Sequence, residues 1–445
     1  MYTLLFKKFL RNKIALFSII LLFLSGTVSL YVGKTFLLNQ QQSIQNATVF
    51  QDSHLRRMTS LHQNDFGLLM YYLKFIYIHK TSPLSGLAIG QRDINSSLQT
   101  LTIRGLEGQK YDSDLRNPFL LLMGNFDFSF VLLYLFPLVI IVLLFNLFSE
   151  EYESGTWVLV TSQSTQPIKF LIVKLSIPFI FLIGVYFILL VLSVFILCIP
   201  LNQIFISFII SNLFYIFIWF SLSSFIISFF RSSYFNSIAL LSIWLLLTIL
   251  IPAIVNNYVT QKYPVPESLN TMLKQRDGYH KKWDLPQENT LNLFFKEYPS
   301  LKHYSWQKEG FNWIWYYAMQ HAGDIESRTD SKEFVSKLKA REQSTAYFGY
   351  FLPTLYNQLL NTRLAGSDLS SQLNYLEQMT LFHEKTRLYF YPKIFKSENA
   401  LNEDWSKNKQ QTFVDVIQLK YWKIFYPVIF VVLFILMALF NIKKV

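Results

Sequence analysis

Most of the residues placed to do chemistry in this sequence fall in one short stretch. Residues 150–169 read Glu-Glu-Tyr-Glu-Ser-Gly-Thr-Trp-Val-Leu-Val-Thr-Ser-Gln-Ser-Thr-Gln-Pro-Ile-Lys. Glu150, Glu151 and Glu153 follow directly on an apolar run, where a helix dipole and anionic lipid both disfavour carboxylates. They make sense opening a new helix with Ser149 as its N-cap, or facing the basic groups of a protein partner. Gly155-Thr156 then breaks the chain, and Thr156 is able to cap a short helix over Trp157–Ser162. Trp157, Val158, Leu159 and Val160 give that helix an apolar surface at a membrane boundary. An apolar helix with an acidic neighbour, held just below a bilayer, is what a docking element requires. The competing reading is a lipid-facing amphipathic loop with no partner.

Other chemistries lack their parts. His383-Glu384 begins the H-E-x-x-H pattern of zinc proteases, but Arg387 stands where the second ligand belongs. The seven histidines (54, 62, 79, 280, 303, 321 and 383) are scattered without ligand spacing, and one cysteine removes the soft ligand sets, so no metal is expected. The only Gly-Lys-Thr, residues 33–35, has Val28 where a P-loop has its first glycine, and it lies at the end of an apolar run. The chain is therefore expected to hydrolyse no ATP itself. Asp127 stands where it could line a substrate entrance, although such a residue is more often a solvated helix cap. No ionisable residue falls in the middle of an apolar block, which argues against a proton-coupled carrier.

The elements that position the acidic stretch are written in the composition. Of 445 residues, 52% are hydrophobic and only 15% charged, against about 25% in a soluble domain. Uncharged runs cover Ile14–Gly33, residues 128–149, 175–230, 232–261 and 424–442. The longest holds two spans joined by Cys198-Ile-Pro-Leu-Asn-Gln203, so the count is six membrane helices of about 20 residues or more. The fold class expected is an all-α polytopic membrane protein with six transmembrane helices and two mainly helical extracytoplasmic insertions. Its divisions are an interfacial amphipathic helix (1–13), spans at 14–34, 127–148, 169–198, 204–230, 235–256 and 423–442, a cytoplasmic stretch at 149–168, and extracytoplasmic segments at 35–126 and 257–422. The first apolar run is too long for a signal-peptide core and no small-x-small site follows it, so it is read as a retained span.

The net charge of +12 belongs to topology rather than to nucleic acid. Lys7, Lys8, Arg11, Lys13, Lys169, Lys174, Arg231, Lys443 and Lys444 flank the short ends of the spans, which places both termini in the cytoplasm. The lone Cys198 excludes an intrachain disulfide, so the long segments must fold by packing alone. Phe50 to Tyr77 reads as helix, a short strand is possible near Leu98–Ile103, and Ser331–Tyr350 and Leu369–Tyr389 read as long helices punctuated by prolines that include Pro353 and Pro392. Six tryptophans between Trp283 and Trp422 read as a packed aromatic core.

On these residues the sequence resembles the permease subunits of ABC type-2 exporters. Those permeases carry Glu-x-Glu-x-Gly-Thr after the second span, then a short apolar helix, a polar turn and a basic residue entering span three. Glu151, Glu153, Gly155, Thr156, Lys169 and Lys174 fall at the corresponding places. The resemblance implies that residues 150–166, with Glu150, Trp157 and Leu159 among them, form a coupling helix region seated in a groove of a separate P-loop ATPase. The family often has a proline before a small-Arg pair where Gln163-Ser164-Thr165-Gln166 stands here. Met1–Lys13 looks like the family's elbow helix, and Phe229–Ser233 resembles its tight cytoplasmic turn before span five. Ala365-Gly-Ser-Asp368 followed by His383 and Arg387 is similar to a branch related to multicopper-enzyme-maturation permeases. The resemblance also implies two ATPase copies holding ATP and Mg, no cofactor in this chain, and a second permease chain in a homodimer or paralogous heterodimer. It further implies a bacterial inner-membrane location amid lipid, and an amphipathic lipid or peptide cargo. A membrane-anchored mechanotransmission or assembly protein, whose outer domains bind a partner without moving cargo, is the alternative.

Overall fold

A computed structural model describes residues 2–110, 125–163, 167–306, 310–405, 410–418 and 420–442. Six helices are long and apolar enough to cross a membrane: Lys13–Leu61, Phe128–Glu153, Lys169–Leu197, Gln203–Ile227, Ser233–Lys262 and Tyr421–Ile442. The chain is an all-α polytopic membrane protein with little strand. The helix Tyr2–Arg11 and the end of span six lie on one side of the spans, called here the terminal side; the long segments lie on the other, distal side. Lys443 and Lys444, and residues 164–166 of the polar turn, fall outside the described residues.

Local chemistry sets the span ends. Asn12 closes the N-terminal helix Tyr2–Arg11 and caps span one, accepting from the Ile14 and Ala15 amides at 3.0 and 3.2 Å. Phe6 and Phe9 of that helix stack on Phe181 of span three, 5.7 and 4.9 Å between ring centroids. Asn202 caps span four through the Phe205 amide, 2.9 Å. Spans two and five each contain a π turn, Val131–Leu135 and Leu246–Leu250. Each precedes a proline, Pro137 and Pro252, whose missing N–H and ring clash disturb the ladder one turn earlier. The Leu133 carbonyl, four residues before Pro137, accepts from the Tyr215 hydroxyl at 2.8 Å, which keeps it paired inside the bundle.

Span one does not stop at the membrane. It runs unbroken for 49 residues to Leu61, about 74 Å at 1.5 Å per residue, and carries the chain far into the distal domain. Gly33 lets the distal turn Pro83–Gly86 close on this helix: a Cβ there would meet the Gly86 carbonyl oxygen at 2.0 Å. The helix expected over Phe50–Tyr77 is therefore corrected. A continuous helix ends at Leu61, Phe66–Tyr72 forms a second short helix, and Phe75–His79 is a strand (β1). Its Phe-Ile-Tyr-Ile-His run is aromatic and β-branched and buried on both faces, which favours a central strand. It pairs antiparallel with β2 (Leu98–Leu101) and parallel with β3 (Gln411–Phe413). The two long segments thus join in one sheet and one aromatic core, in which Phe66, Tyr317, Phe390 and Tyr391 are buried. Pro392 does not break its helix, which runs from Leu369 to Phe395; Pro353 does start one, at the first position where its missing N–H costs nothing.

Candidate functional site

The acidic stretch folds as two short helices on the terminal side, Ser149–Glu153 and Thr156–Gln163, joined through Gly155. Gly155 has φ +73° with no heavy atom within 4 Å of a built Cβ, so glycine serves the left-handed backbone rather than space. Two capping expectations are corrected. Ser149 is no N-cap, because Phe148 before it is already helical (φ −97°, ψ −38°). Its hydroxyl instead meets Ser233 Oγ at 2.9 Å. Thr156 turns back, its Oγ1 donating to the Glu151 carbonyl at 3.1 Å and to the Glu151 carboxylate, which locks the two helices together.

The carboxylates face partners within this chain. Glu151 accepts from Lys174 of span three at 2.7 Å, with both side chains largely buried (13% and 6% exposed). Glu150, exposed, pairs with Lys8 of the N-terminal helix at 3.0 Å. Glu153 accepts from the Ser233 amide at 2.7 Å and its hydroxyl at 3.0 Å, placing a negative charge on the N-terminus of span five. Trp157 packs on Phe230 of the four–five turn, 5.4 Å between rings, and Phe148 stacks on the same ring at 5.8 Å. The stretch therefore gathers the N-terminal helix and spans two, three and five, with the turn leaving span four. Tyr152 and Val158 point outward, 57% and 68% exposed. Lys169 is exposed at the entry of span three, whereas Lys174 is buried; the Leu159 side chain lies outside what is described. Sequence reasoning missed Lys8, Ser233 and Phe230 as partners, since nothing local links positions so distant in the chain.

A second constellation lies across the bundle. The distal helix Pro353–Ala365, the wedge helix, packs between the distal halves of spans two, four and five. Its Asn357 and Asn361 meet Asn212 of span four: Asn357 Nδ2 donates to Asn212 Oδ1 at 2.7 Å, Asn361 Nδ2 to the same oxygen at 3.0 Å, and Asn212 Nδ2 to Asn361 Oδ1 at 2.9 Å. Asn361 also donates to Ser129 of span two, and Tyr215 meets Thr354. Asn212 lies about 14 Å along span four from its distal end, so the wedge reaches well into the spans. Asp127 is a cap as expected, accepting from the Phe130 amide at 2.8 Å, but a buried one that also takes the Ile89 amide at 2.8 Å.

The distal core repeats one device. Arg387 donates to the buried His321 Nδ1 (2.8 Å) and Asp324 (2.7 Å) and to the half-buried Arg104 carbonyl (3.0 Å). Arg92 likewise donates to His79 Nδ1, the His79 carbonyl and Thr81 Oγ1. Each Nδ1 must accept, so each imidazole is neutral. Burial first, and the facing arginine second, push His321 and His79 down to about 3. The unfolded chain, with histidine near 6.5, takes up protons first as pH falls. Stability is full above about pH 6.5 and declines below it, by about 2 kcal/mol per histidine at pH 5. Near-ultraviolet melts at pH 7 and pH 5 should show this loss, and His321→Gln with His79→Gln should reduce it, leaving the share of His383, which burial also holds neutral. His383 Nε2 donates to the Thr102 carbonyl at 2.9 Å, and among the described residues no group of metal-ligating side chains gathers.

Comparison with family models gives two matches. One, described as ABC-2 membrane transporter related, covers residues 86–210, from the distal turn through spans two and three into span four. The other, described as a domain of unknown function (DUF3526), covers residues 269–413 of the distal domain. No curated protein matches, and neither does any solved structure.

Proposed function

The chain is an ABC-2 type permease, and from that premise we propose that it is the membrane subunit of an exporter driven by a separate ATPase docked on residues 149–163. The family implies a partner ATPase subunit in general and a membrane subunit without a nucleotide-binding motif of its own. The observation that carries the docking site is the convergence of Lys8, Lys174, Ser233 and Phe230 on this one short stretch. A force applied there acts on several spans at once, while Tyr152 and Val158 remain outward to meet a groove. The acidic residues are internal fasteners, so recognition falls to the apolar face.

In this reading the terminal side is cytoplasmic and the distal domain extracytoplasmic, in agreement with the basic residues at the terminal ends. Two permease chains and two ATPase chains form the complete machine, with ATP and Mg held by the ATPase. Closure of the ATPase pair moves residues 149–163, tilts spans two, three and five, and opens a route for an amphipathic cargo. The DUF3526 match is consistent with the branch having large outer domains. A photoreactive residue placed at position 158 tests the docking site in native membranes. A P-loop ATPase adduct at 158 is expected, with none from position 285 in the distal domain. An adduct absent at 158, with the protein folded, overturns the assignment.

A further inference from the structure

On the face of the wedge helix turned away from the asparagines lies a cavity of about 550 Å³. Lys339, Arg363, Lys420 and Lys423 line it, against only Glu342 and Asp368. Both carboxylates already have partners in the lining. Glu342 accepts from Ser370 at 2.7 Å, and Asp368 takes the Ser371 amide at 3.2 Å and Arg363 at 3.4 Å. Arg363 is shared further with Asp415 at 3.5 Å. Among the described residues, Lys339, Lys420 and Lys423 make no ion pair with a carboxylate. The lining thus holds four cations against two carboxylates, and three of the cations lack a direct ion pair.

The remaining wall has the opposite character. Leu359 and Leu360 of the wedge helix, with Ala346 and the rings of Tyr350 and Tyr356, make it apolar. The cavity also stands at a membrane boundary, because Lys420 immediately precedes span six, Tyr421–Ile442. Tyr356 fixes the geometry, donating its hydroxyl to the Lys423 carbonyl at 2.6 Å, and Tyr350 stacks on Trp422. A cluster of cations beside an apolar wall at the edge of a bilayer matches a molecule with an anionic head and a hydrocarbon tail.

We propose that this cavity, between the helix Trp313–Gly349, the wedge helix and the start of span six, is a binding site for the headgroup of an anionic lipid-like amphiphile. The lysines hold the anion, and Leu359 and Leu360 receive the first part of the chain. Because the same helix carries Asn357 and Asn361 into the bundle, an occupant of the cavity bears directly on the wedge. The site stands independently of the exporter reading, and its test leaves ATPase docking untouched.

The test is native mass spectrometry of the full-length chain in detergent, titrated with phosphatidylglycerol, with phosphatidylcholine, and with inorganic phosphate. Phosphatidylglycerol is expected to bind at least tenfold tighter than phosphatidylcholine. Lys420→Gln with Lys423→Gln should weaken it about thirtyfold, at roughly fivefold per cation near a membrane surface. Lys262→Gln, a basic distal residue outside the cavity, should leave binding unchanged, and the melting temperature of each variant verifies its fold. Equal affinity for the two lipids, or binding indifferent to the lysine pair, overturns the proposal. So does phosphate alone binding as tightly as phosphatidylglycerol, which would make the cavity a site for a free anion. Co-purification of an ATPase is a separate readout that none of these outcomes changes.

Discussion

Replacing Lys174 by Met is expected to unseat the 149–163 element, destabilising it by about 3 kcal/mol, because a largely buried carboxylate is left without its cation. Glu151 accepts from Lys174 at 2.7 Å, and its next basic neighbour, Lys8, is 3.8 Å away and half-exposed. Lys8 recovers part of the loss, which places the effect at the lower end of the range for broken buried pairs. The consequence reaches beyond the pair, since the same carboxylate accepts from Thr156 and joins the two short helices. Lys174→Arg should be tolerated, and Lys174→Met with Glu151→Gln should recover most of the loss, because neither partner is then an unpaired charge. Thermal melting of the purified chain, with limited proteolysis near Gly155, measures all three. Equal behaviour of Lys174→Met and wild type would mean that the pair does not hold the element.

Asn212→Leu should free the wedge helix from span four. Its amide makes three hydrogen bonds with Asn357 and Asn361, and the leucine strips Asn357 of its partner and leaves Asn361 only Ser129. Interhelical hydrogen bonds within membranes contribute about 0.6 kcal/mol each on average and up to about 2. The summed loss is roughly 2–3 kcal/mol, or about a hundredfold in local opening. Hydrogen exchange of the whole chain in detergent should therefore show protection falling across Pro353–Ala365 while Trp313–Gly349 keeps its own. Simultaneous Asn212→Leu, Asn357→Leu and Asn361→Leu should restore protection, since no polar group is stranded. Unchanged exchange in the single variant would mean that apolar packing, not the asparagines, seats the wedge.

How far the sequence discloses this arrangement depends on the range of each interaction. The six membrane helices were legible because the uncharged runs are bounded by Lys, Arg, Asp or Glu and fit one bilayer crossing each, or two where Cys198–Gln203 divides the longest. The break at Gly155 and the short helix after it were legible from Gly-Thr and the apolar run, and Thr156–Gln163 is helical. Long-range partners were not. Lys8 and Glu150 are 142 positions apart, and Ser233 meets Glu153 across 80. Asn212, whose neutral amide does the joining, carries no charge to mark it within its span. The wedge helix was hidden for the opposite reason. Thr354, Asn357 and Asn361 form one polar helical stripe, a pattern usual for a solvated surface, yet they are buried against spans two and four. Strand β1 was taken for helix because Phe50–Tyr77 lacks proline, and its parallel partner lies more than 300 residues later.

The most direct test of the central claim is mild-detergent purification of the tagged full-length chain from its native membranes, beside Gly155→Arg. The left-handed turn at φ +73° costs a non-glycine residue about 1–2 kcal/mol, and the new side chain projects from the docking element. A stoichiometric P-loop ATPase of separate sequence is expected with the wild-type chain, and its loss from the variant while the distal domain keeps its melting temperature. A stable chain that purifies without any ATPase, identically in both forms, would contradict the central claim.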